Sequence, residues 1–154
     1  MQVDEKLITE PIGPKDVPEI ENIELLFFAY RDFVADPDRR LAAYDFGRAH
    51  HRVLYFVNRS PGMTVAELLE ILRITKQSLG RVLKQLINSG HIVQTEGVSD
   101  RRKRLLYPTQ SGRELILELS ALQSARFERA FNGLDANARE EVIRFMRAMI
   151  GPGT

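Results

Sequence analysis

The sequence predicts a mainly α-helical fold with one small β-hairpin (α+β class), and three observations predict it. Apolar residues recur at spacings of three and four through most of the chain, which is typical of amphipathic helices. The period changes only over residues 91–107, where two short β-prone segments flank a polar loop. The chain has 154 residues, 44% of them hydrophobic and 28% charged, which is enough for one core and too little for two independent ones.

The chain begins with an irregular arm that is followed by a helix. Residues 1–18 contain three prolines and no helical periodicity, so they predict the arm. Apolar and aromatic residues then recur with helical spacing at Ile20, Ile23, Phe27 and Tyr30. Because a residue that precedes a proline is disfavoured in the α conformation, this first helix is expected to end at Asp36-Pro37.

A second helix is predicted from Arg40 or Tyr44 to Asn58. Residues 60–62, with the sequence Ser-Pro-Gly, stop it firmly. The first and second helices make up the segment 19–60. We expect this segment to support the fold and to take part in dimerisation.

The second helix carries two adjacent histidines, His50 and His51. Neighbouring helical residues point about 100° apart, so we do not expect both to ligate one metal ion. We expect His50 to line an internal cleft beside Phe46 and Val53, and His51 to face solvent. No metal site is predicted.

Two short helices joined by a tight turn are predicted within the segment 61–108. Thr64 and Glu67 have the spacing of a capping box, and Thr75 is a plausible N-cap for the second of these helices. The first helix has its apolar stripe at Val65, Leu68, Leu69 and Leu72. The second has its stripe at Leu79, Val82, Leu83, Leu86 and Ile87, and Gly90 suits the left-handed position that ends it.

A hairpin and two further helices complete the predicted fold. Residues 91–95 and 104–107 form the strands, and a polar, basic loop lies between them. Thr109 caps a long helix from about Gln110 to Phe131, and Asp135 caps a last helix that ends near Met149. This C-terminal segment, 109–154, is assigned to dimerisation.

The net charge of +1 conceals a strong asymmetry along the chain. Residues 73–113 contain nine Lys or Arg and two acidic residues, a net charge of +7, and the rest of the chain has a net charge of −6. Such a distribution indicates an anionic partner for the middle of the chain.

The predicted helix-turn-helix and the basic hairpin after it indicate where the anionic partner binds. The second helix of the motif enters the DNA major groove, so it must be apolar on one face and polar on the other. Gln77, Arg81 and Lys84 share the polar face, and an arginine of the hairpin tip is placed to enter the adjacent minor groove. The predicted DNA-binding residues are Thr75, Lys76, Gln77, Ser78, Arg81, Lys84, Arg101, Arg102 and Lys103.

Three residues of this region support that interpretation. Lys76 opposes the dipole at the start of its helix, a cost that a nearby phosphate would offset. Gly80 weakens the helix by about 1 kcal/mol relative to Ala, which indicates a close approach to the first helix or to DNA. Asp100 is expected to pair with Arg102 and to brace the hairpin tip.

The chain resembles the MarR family of winged helix-turn-helix transcriptional regulators over about residues 20–150. The resemblance rests on residues 62–65, 74–82, 99–104 and 109–113. Its most specific parts are Asp-x-Arg in the wing, here Asp100 to Arg102, and Thr-x-x-Gly, here Thr109 to Gly112. The absence of cysteine departs from the redox-sensing members, and three histidines are few for a metal-sensing one.

This resemblance implies a homodimeric repressor on a pseudo-palindromic double-stranded DNA operator, with half-sites about 10 bp apart. It also implies release by a small ligand, for which an aromatic or phenolic effector is expected at Phe27, Tyr30, Phe46 and His50. The apolar content of the terminal helices agrees with dimerisation. The residues assigned to that role are Ile20, Ile23, Phe127, Phe131, Phe145 and Met149.

Two alternatives remain open: a winged-helix module that binds protein, and a DNA-binding protein without effector sensing. An enzyme is not expected, because the sequence lacks G-x-S-x-G, H-E-x-x-H and P-loop motifs. No cofactor is predicted. The sequence has no run of 18 apolar residues and no signal-like N-terminal stretch, so the expected location is cytoplasmic.

Overall fold

The structure is a computed structural model that describes residues 6–151. Residues up to Phe33 form one compact unit and residues from Val34 onward form the other. The helices and strands follow along the chain in the order α1 (Ile20–Ala42), α2 (Arg48–Arg59), β1 (Met63–Thr64), α3 (Val65–Leu72), α4 (Lys76–Asn88), β2 (Ile92–Glu96), β3 (Arg104–Pro108), α5 (Gln110–Phe131) and α6 (Ala138–Met149). The predicted mainly α fold with a small β-hairpin wing is confirmed.

The first unit contains an irregular segment and the start of α1. Residues 1–5 of the predicted arm lie outside the described part of the chain. Residues 6–19 are irregular, with one turn in which the Gly13 carbonyl accepts from the N–H groups of Asp16 and Val17. Every residue from 21 to 31 is exposed, which leaves several large apolar side chains of this helix open.

The prediction that Asp36-Pro37 ends the first helix is wrong. Pro37 lies inside α1, which continues to Ala42. A proline removes one helical hydrogen bond, and here its ring is fully buried, which offsets part of that cost.

The predicted start of the second helix, at Arg40 or Tyr44, is also wrong. Residues 43–47 form a turn in which the N–H of Phe46 donates to the Leu41 carbonyl and Asp45 has φ of 57°. Gly47, in an extended conformation, is the N-cap of α2.

The core of the second unit lies between α2, α3, α4, α5 and the sheet. Its fully buried large side chains are mainly leucines, namely Leu41, Leu54, Leu68, Leu79, Leu86, Leu106 and Leu119. The sheet has the order β1-β3-β2 and is antiparallel. Met63 of β1 and Gln94 of β2 both pair with Leu106 of the central strand β3. The two-residue strand β1 was not predicted, and it adds a third strand at the base of the hairpin.

The helix ends of the C-terminal part are set by local hydrogen bonds. Thr109 caps α5 as predicted, since its Oγ1 accepts from the N–H of Gly112 at 3.0 Å. The prediction for Asp135 is wrong, because its backbone carbonyl closes a turn with Ala138 and Asn137 is the N-cap of α6. Over the described residues, the chain has no helix long and apolar enough to cross a membrane.

Candidate nucleic-acid interface

The turn between α3 and α4 is tight because a capping residue stands at each side of it. Arg73 ends α3 in the left-handed conformation (φ 52°, ψ 42°), and its N–H donates to the Leu69 carbonyl. Two residues later the Oγ1 of Thr75 accepts from the N–H of Ser78 at 3.0 Å and donates to its Oγ at 2.9 Å. These contacts fix where α3 ends and where α4 begins.

The α4 helix buries one face and exposes the other. Leu79, Val82, Leu83 and Leu86 are buried in the core. On the other side, Lys76, Gln77, Arg81 and Lys84 are exposed, and Ser78 is half-buried. Within residues 6–151, the side chains of Lys76, Arg81 and Lys84 form no ion pair.

Gly80 does not approach α3. A Cβ placed on Gly80 would meet no atom within 4 Å among the described residues. Of the two close approaches expected for Gly80, the one to the first helix of the motif is therefore wrong. The approach of Gly80 to DNA stays a prediction.

The wing tip is held by hydrogen bonds around Asp100. Its Oδ1 accepts from the backbone N–H of Arg102 at 3.0 Å and from Arg102 Nε at 3.3 Å. The backbone of the tip is closed by Gly97 N–H to the Lys103 carbonyl and by Lys103 N–H to the Asp100 carbonyl. A Cβ on Gly97 would lie 2.6 Å from the Asp100 carbonyl oxygen, so this turn requires glycine.

The cations of the wing differ in their surroundings. Arg102 is almost fully exposed (93%), although its Nε contacts Asp100. Arg104 lies 3.8 Å from Glu96 across the strands. Among the described residues, Arg101 and Lys103 have no ion pair, and both are exposed.

The base of the wing is joined to α5 through Thr109 and Gly112. Thr109 Oγ1 donates to the Gly90 carbonyl at 2.6 Å, and its N–H donates to the His91 carbonyl at 3.2 Å. A Cβ on Gly112 would lie 2.1 Å from the same His91 oxygen. The orientation of the wing relative to α5 therefore depends on Gly112, the glycine of the Thr-x-x-Gly motif, because a side chain there would clash with the His91 carbonyl.

An aromatic cluster lies behind α4 and the wing. Phe46 stacks on His50 with ring centroids 4.6 Å apart, and it meets His91 edge-on at 5.6 Å. Ser89 Oγ lies 2.7 Å from His91 Nδ1. Burial lowers the pKa of His91.

The prediction that His51 faces solvent is wrong. His51 is only 8% exposed, as is His50. Burial lowers the pKa of His51 from its ordinary value of 6.5, Asp38 opposes that effect and Arg52 adds to it. No group of three or more metal-ligating residues occurs in the described part of the chain.

The residues expected to bind an effector divide between the two units. Phe27 and Tyr30 belong to the first unit and are 72% and 48% exposed. Phe46 and His50 belong to the second unit, where they are buried against each other.

The residues expected at a dimer interface are exposed or half-buried. The exposed fractions are 45% for Ile23, 39% for Phe127, 61% for Phe145 and 59% for Met149. Ile20 and Phe131 are half-buried, and Phe131 stacks on Phe127.

Sequence reasoning missed Gln85, whose side chain contacts His50. The two residues are 35 positions apart, and neither periodicity nor a local motif connects them.

A helix-turn-helix followed by a basic antiparallel hairpin is the arrangement that defines a winged-helix protein. The comparisons with known proteins agree with it. Residues 44–103 match the model described as MarR family. The chain is 45% identical over 132 residues to the HTH-type transcriptional regulator PetP of Rhodobacter capsulatus, covering 86% of this chain and 80% of that protein. This chain therefore belongs to the MarR family and is a transcriptional regulator with a DNA-binding winged helix.

Solved structures support the fold. A MarR-family transcriptional regulator from Silicibacter pomeroyi superposes with a TM-score of 0.74 at 19% identity, covering 90% of this chain and 94% of that one. Streptococcus pneumoniae FabT, solved in complex with DNA, superposes with a TM-score of 0.73 at 17% identity, covering 84% and 92%.

Proposed function

We propose that this regulator is a cytoplasmic repressor that binds a pseudo-palindromic operator as a homodimer. In this proposal α4 enters the major groove and the wing enters the adjacent minor groove. The observation that carries it is the set of cations on the exposed side of α4 and on the wing tip that form no ion pair within residues 6–151. These are Lys76, Arg81, Lys84, Arg101 and Lys103.

Physical chemistry favours an anion as the partner of these cations. They lie close together in the sequence of a chain whose net charge is only +1, so their mutual repulsion is a local cost. Lys76 also stands in the first turn of α4, where the helix dipole disfavours a cation. A phosphate backbone would offset both costs.

Each predicted contact has a role in this proposal. Lys76, Gln77 and Ser78, near the α4 N-terminus, would meet base edges, whereas Arg81 and Lys84 would meet bases or phosphates. Thr75 would serve mainly as the cap that positions them, because its hydroxyl already contacts Ser78 twice. Arg102 would enter the minor groove, flanked by Arg101 and Lys103 at the phosphates.

The test is a fluorescence anisotropy titration with DNA from upstream of the regulator's own gene. We expect nanomolar to micromolar binding at low salt, a steep fall of log K with log salt, and preference over scrambled DNA. Gln77→Ala should weaken operator binding in a sequence-dependent manner. If Lys84 contacts a phosphate, Lys84→Ala should weaken binding to all sequences similarly. Absence of binding at low salt would contradict the proposal and favour a winged-helix module that binds protein.

The homodimer is supported by the exposure of apolar side chains at both ends of the chain. No residue of α6 is buried, and Phe145, Met149 and Ile150 are more than half exposed. In the first unit, Leu25, Leu26 and Phe27 are also more than half exposed. Apolar surface of this extent on a small chain is typical of an interface, and a second copy would supply the second DNA-binding lobe.

Release by an aromatic or phenolic effector is the remaining part of the proposal. It is supported by the aromatic cluster of the second unit, in which Phe46 stacks on His50. A thermal-shift screen with aromatic acids and phenols, followed by anisotropy with each hit, tests it. If no ligand lowers the affinity for the operator, the chain is a DNA-binding protein without effector sensing.

A further inference from the structure

The His50 side chain is hydrogen-bonded through both ring nitrogens. The Gly47 backbone N–H donates to Nδ1 at 3.0 Å, and Nε2 lies 2.5 Å from Gln85 Oε1. Because Nδ1 accepts, the proton of the neutral ring is on Nε2, and Nε2 donates to Gln85. One tautomer therefore satisfies both contacts.

One end of this arrangement is fixed by the start of α2. Gly47 is the N-cap of that helix and has no side chain, so it cannot form the usual cap itself. His50, at the third helical position, accepts from the Gly47 N–H in the way that Glu or Gln does in a capping box. The imidazole also stacks on Phe46, with 11° between the ring planes. The ring is thus held by its own helix and by the preceding turn.

The other end is on the DNA-binding helix. Gln85 follows Arg81 by one helical turn, which places it about 40° from Arg81 around the axis of α4. It is an exposed residue, yet its side-chain oxygen is bonded to a histidine that is only 8% exposed. The bond therefore connects the flank of the polar face of α4 to α2.

The apolar face of α4 sets the rotation of the helix less narrowly than a hydrogen bond does. Burial of Leu79, Val82 and Leu86 is a non-directional attraction, whereas a hydrogen bond is restricted in distance and angle. Gln77, Arg81 and Lys84 move together when α4 turns about its axis, so a directional contact on one flank sets where all three point.

We propose that His50 is a positioning residue, whose hydrogen bond to Gln85 sets the rotation of α4 and thereby the alignment of its polar face with the operator. The proposal rests on the proposed function of α4 in operator binding. Neither His50 nor Gln85 contacts DNA in it.

A double-mutant cycle tests this proposal. His50→Phe keeps an aromatic ring against Phe46 and removes both hydrogen bonds, and Gln85→Met removes the acceptor at similar volume. Each single variant should lower operator affinity about three- to tenfold, with little change for scrambled DNA. The operator affinity of the double variant should equal that of the more weakly binding single variant, because both substitutions remove the same hydrogen bond. Additive losses would show that His50 and Gln85 act independently and would overturn the proposal, as would unchanged operator affinity in both single variants.

Two controls separate positioning from a loss of folding. Gln110→Met changes an exposed glutamine whose contact is within its own helix, to Glu114 at 3.1 Å, and should leave operator affinity unchanged. Gln85→Glu keeps an acceptor for His50, so its added charge should weaken operator and scrambled DNA similarly and keep their ratio. If Gln85→Glu loses the operator preference as Gln85→Met does, the hydrogen bond is not what matters. Circular dichroism at the assay temperature confirms that each variant is folded.

A measurement without DNA tests the contact separately from the proposed function. The imidazole ¹⁵N shifts of the free wild-type protein should show His50 protonated at Nε2 and unprotonated at Nδ1, and Gln85→Met should shift the Nε2 signal. A ring protonated at Nδ1 would contradict the arrangement. If the tautomer is as expected but the wild type has no operator preference, the proposed function fails and the contact stands.

Discussion

Asp100 Oδ1 accepts two hydrogen bonds from Arg102, one from the backbone N–H at 3.0 Å and one from Nε at 3.3 Å. The same carboxylate thus fixes the turn of the wing and limits the directions of the arginine side chain. The Arg102 side chain remains 93% exposed, so the contact orients it without covering it. In an exposed setting an ion pair adds little to stability, and the value of this one lies in pre-organising the wing tip.

The first prediction concerns the arginine and its brace. Arg102→Ala should lower operator affinity about ten- to a hundredfold, because the proposed minor-groove contact is lost, and should reduce the salt slope. Asp100→Asn should lower it less, about three- to tenfold, because the arginine remains but is less ordered. Anisotropy titrations measure both effects, and Val98→Ala is a control in the same loop, since Val98 is fully exposed. A larger loss for Asp100→Asn than for Arg102→Ala would contradict the assigned roles.

The second prediction compares two glycines that lie in helices. Gly112→Ala would place a Cβ 2.1 Å from the His91 carbonyl oxygen, a clash with backbone, and should lower the free energy of unfolding by about 2 kcal/mol or more. Gly80→Ala meets nothing within 4 Å and should raise that free energy by up to about 1 kcal/mol. Urea denaturation measures both.

The Gly80→Ala variant also tests the proposed approach to DNA. If α4 lies close to DNA at this position, the variant should be more stable and yet bind the operator more weakly. Unchanged operator affinity in the more stable variant would show that Gly80 does not approach DNA closely.

The helical periodicity of the sequence predicted most elements, because amphipathic stripes and capping residues are local signals. Thr64, Thr75 and Thr109 each cap a helix at the predicted position. Pro37 departs from its local signal: a proline predicts a helix end, whereas burial of its ring is a property of the tertiary fold. His51 is buried for a similar reason that no local pattern carries, since the burial of a helix flank depends on which elements pack around it.

The part of the candidate site that lies on single elements was predictable from the sequence, because it too depends on local signals. The polar face of α4 and the basic wing follow from the order of residues along one helix and one hairpin. The contact of His50 with Gln85 depends on how α2 and α4 pack, and the two-residue strand β1 is too short to give a pattern.

The third prediction concerns the pH dependence of stability. Burial lowers the pKa of His51 in the folded protein below its ordinary value of 6.5, an effect that Asp38 partly opposes. As pH falls below 6.5, the unfolded chain takes up a proton at His51 more readily than the folded protein does, so the free energy of unfolding falls. Above that pH the histidine is neutral in both states and adds no pH dependence. Burial lowers the pKa of His91 as well, so its contribution has the same sign.

Urea denaturation between about pH 7.5 and about pH 5.5 measures this slope. His51→Gln should reduce it by up to about 1.4 kcal/mol per pH unit, the limit for one proton. An NMR titration of the wild-type histidine provides a second measurement, which does not depend on whether the variant folds. A His51 that titrates above 6.5 would contradict the prediction.

The fourth prediction concerns the C-terminal helix as an interface. Phe145 is 61% exposed on a helix none of whose residues is buried in the single chain. Within the proposed homodimer, Phe145→Glu would place a charge in an apolar contact and should raise the dimer dissociation constant at least about a hundredfold. Sedimentation velocity over a concentration series measures the dimer dissociation constant.

Ile71→Glu is the matched control, because Ile71 is a similarly apolar side chain, 47% exposed on α3. A Phe145→Glu variant that dimerises as the wild type does would exclude this face of α6 from the interface. Dissociation caused equally by Ile71→Glu would show that the effect is one of added charge rather than of position. Because one lobe holds a single half-site, the monomeric variant should also lose most of its operator affinity while keeping its weak binding to scrambled DNA.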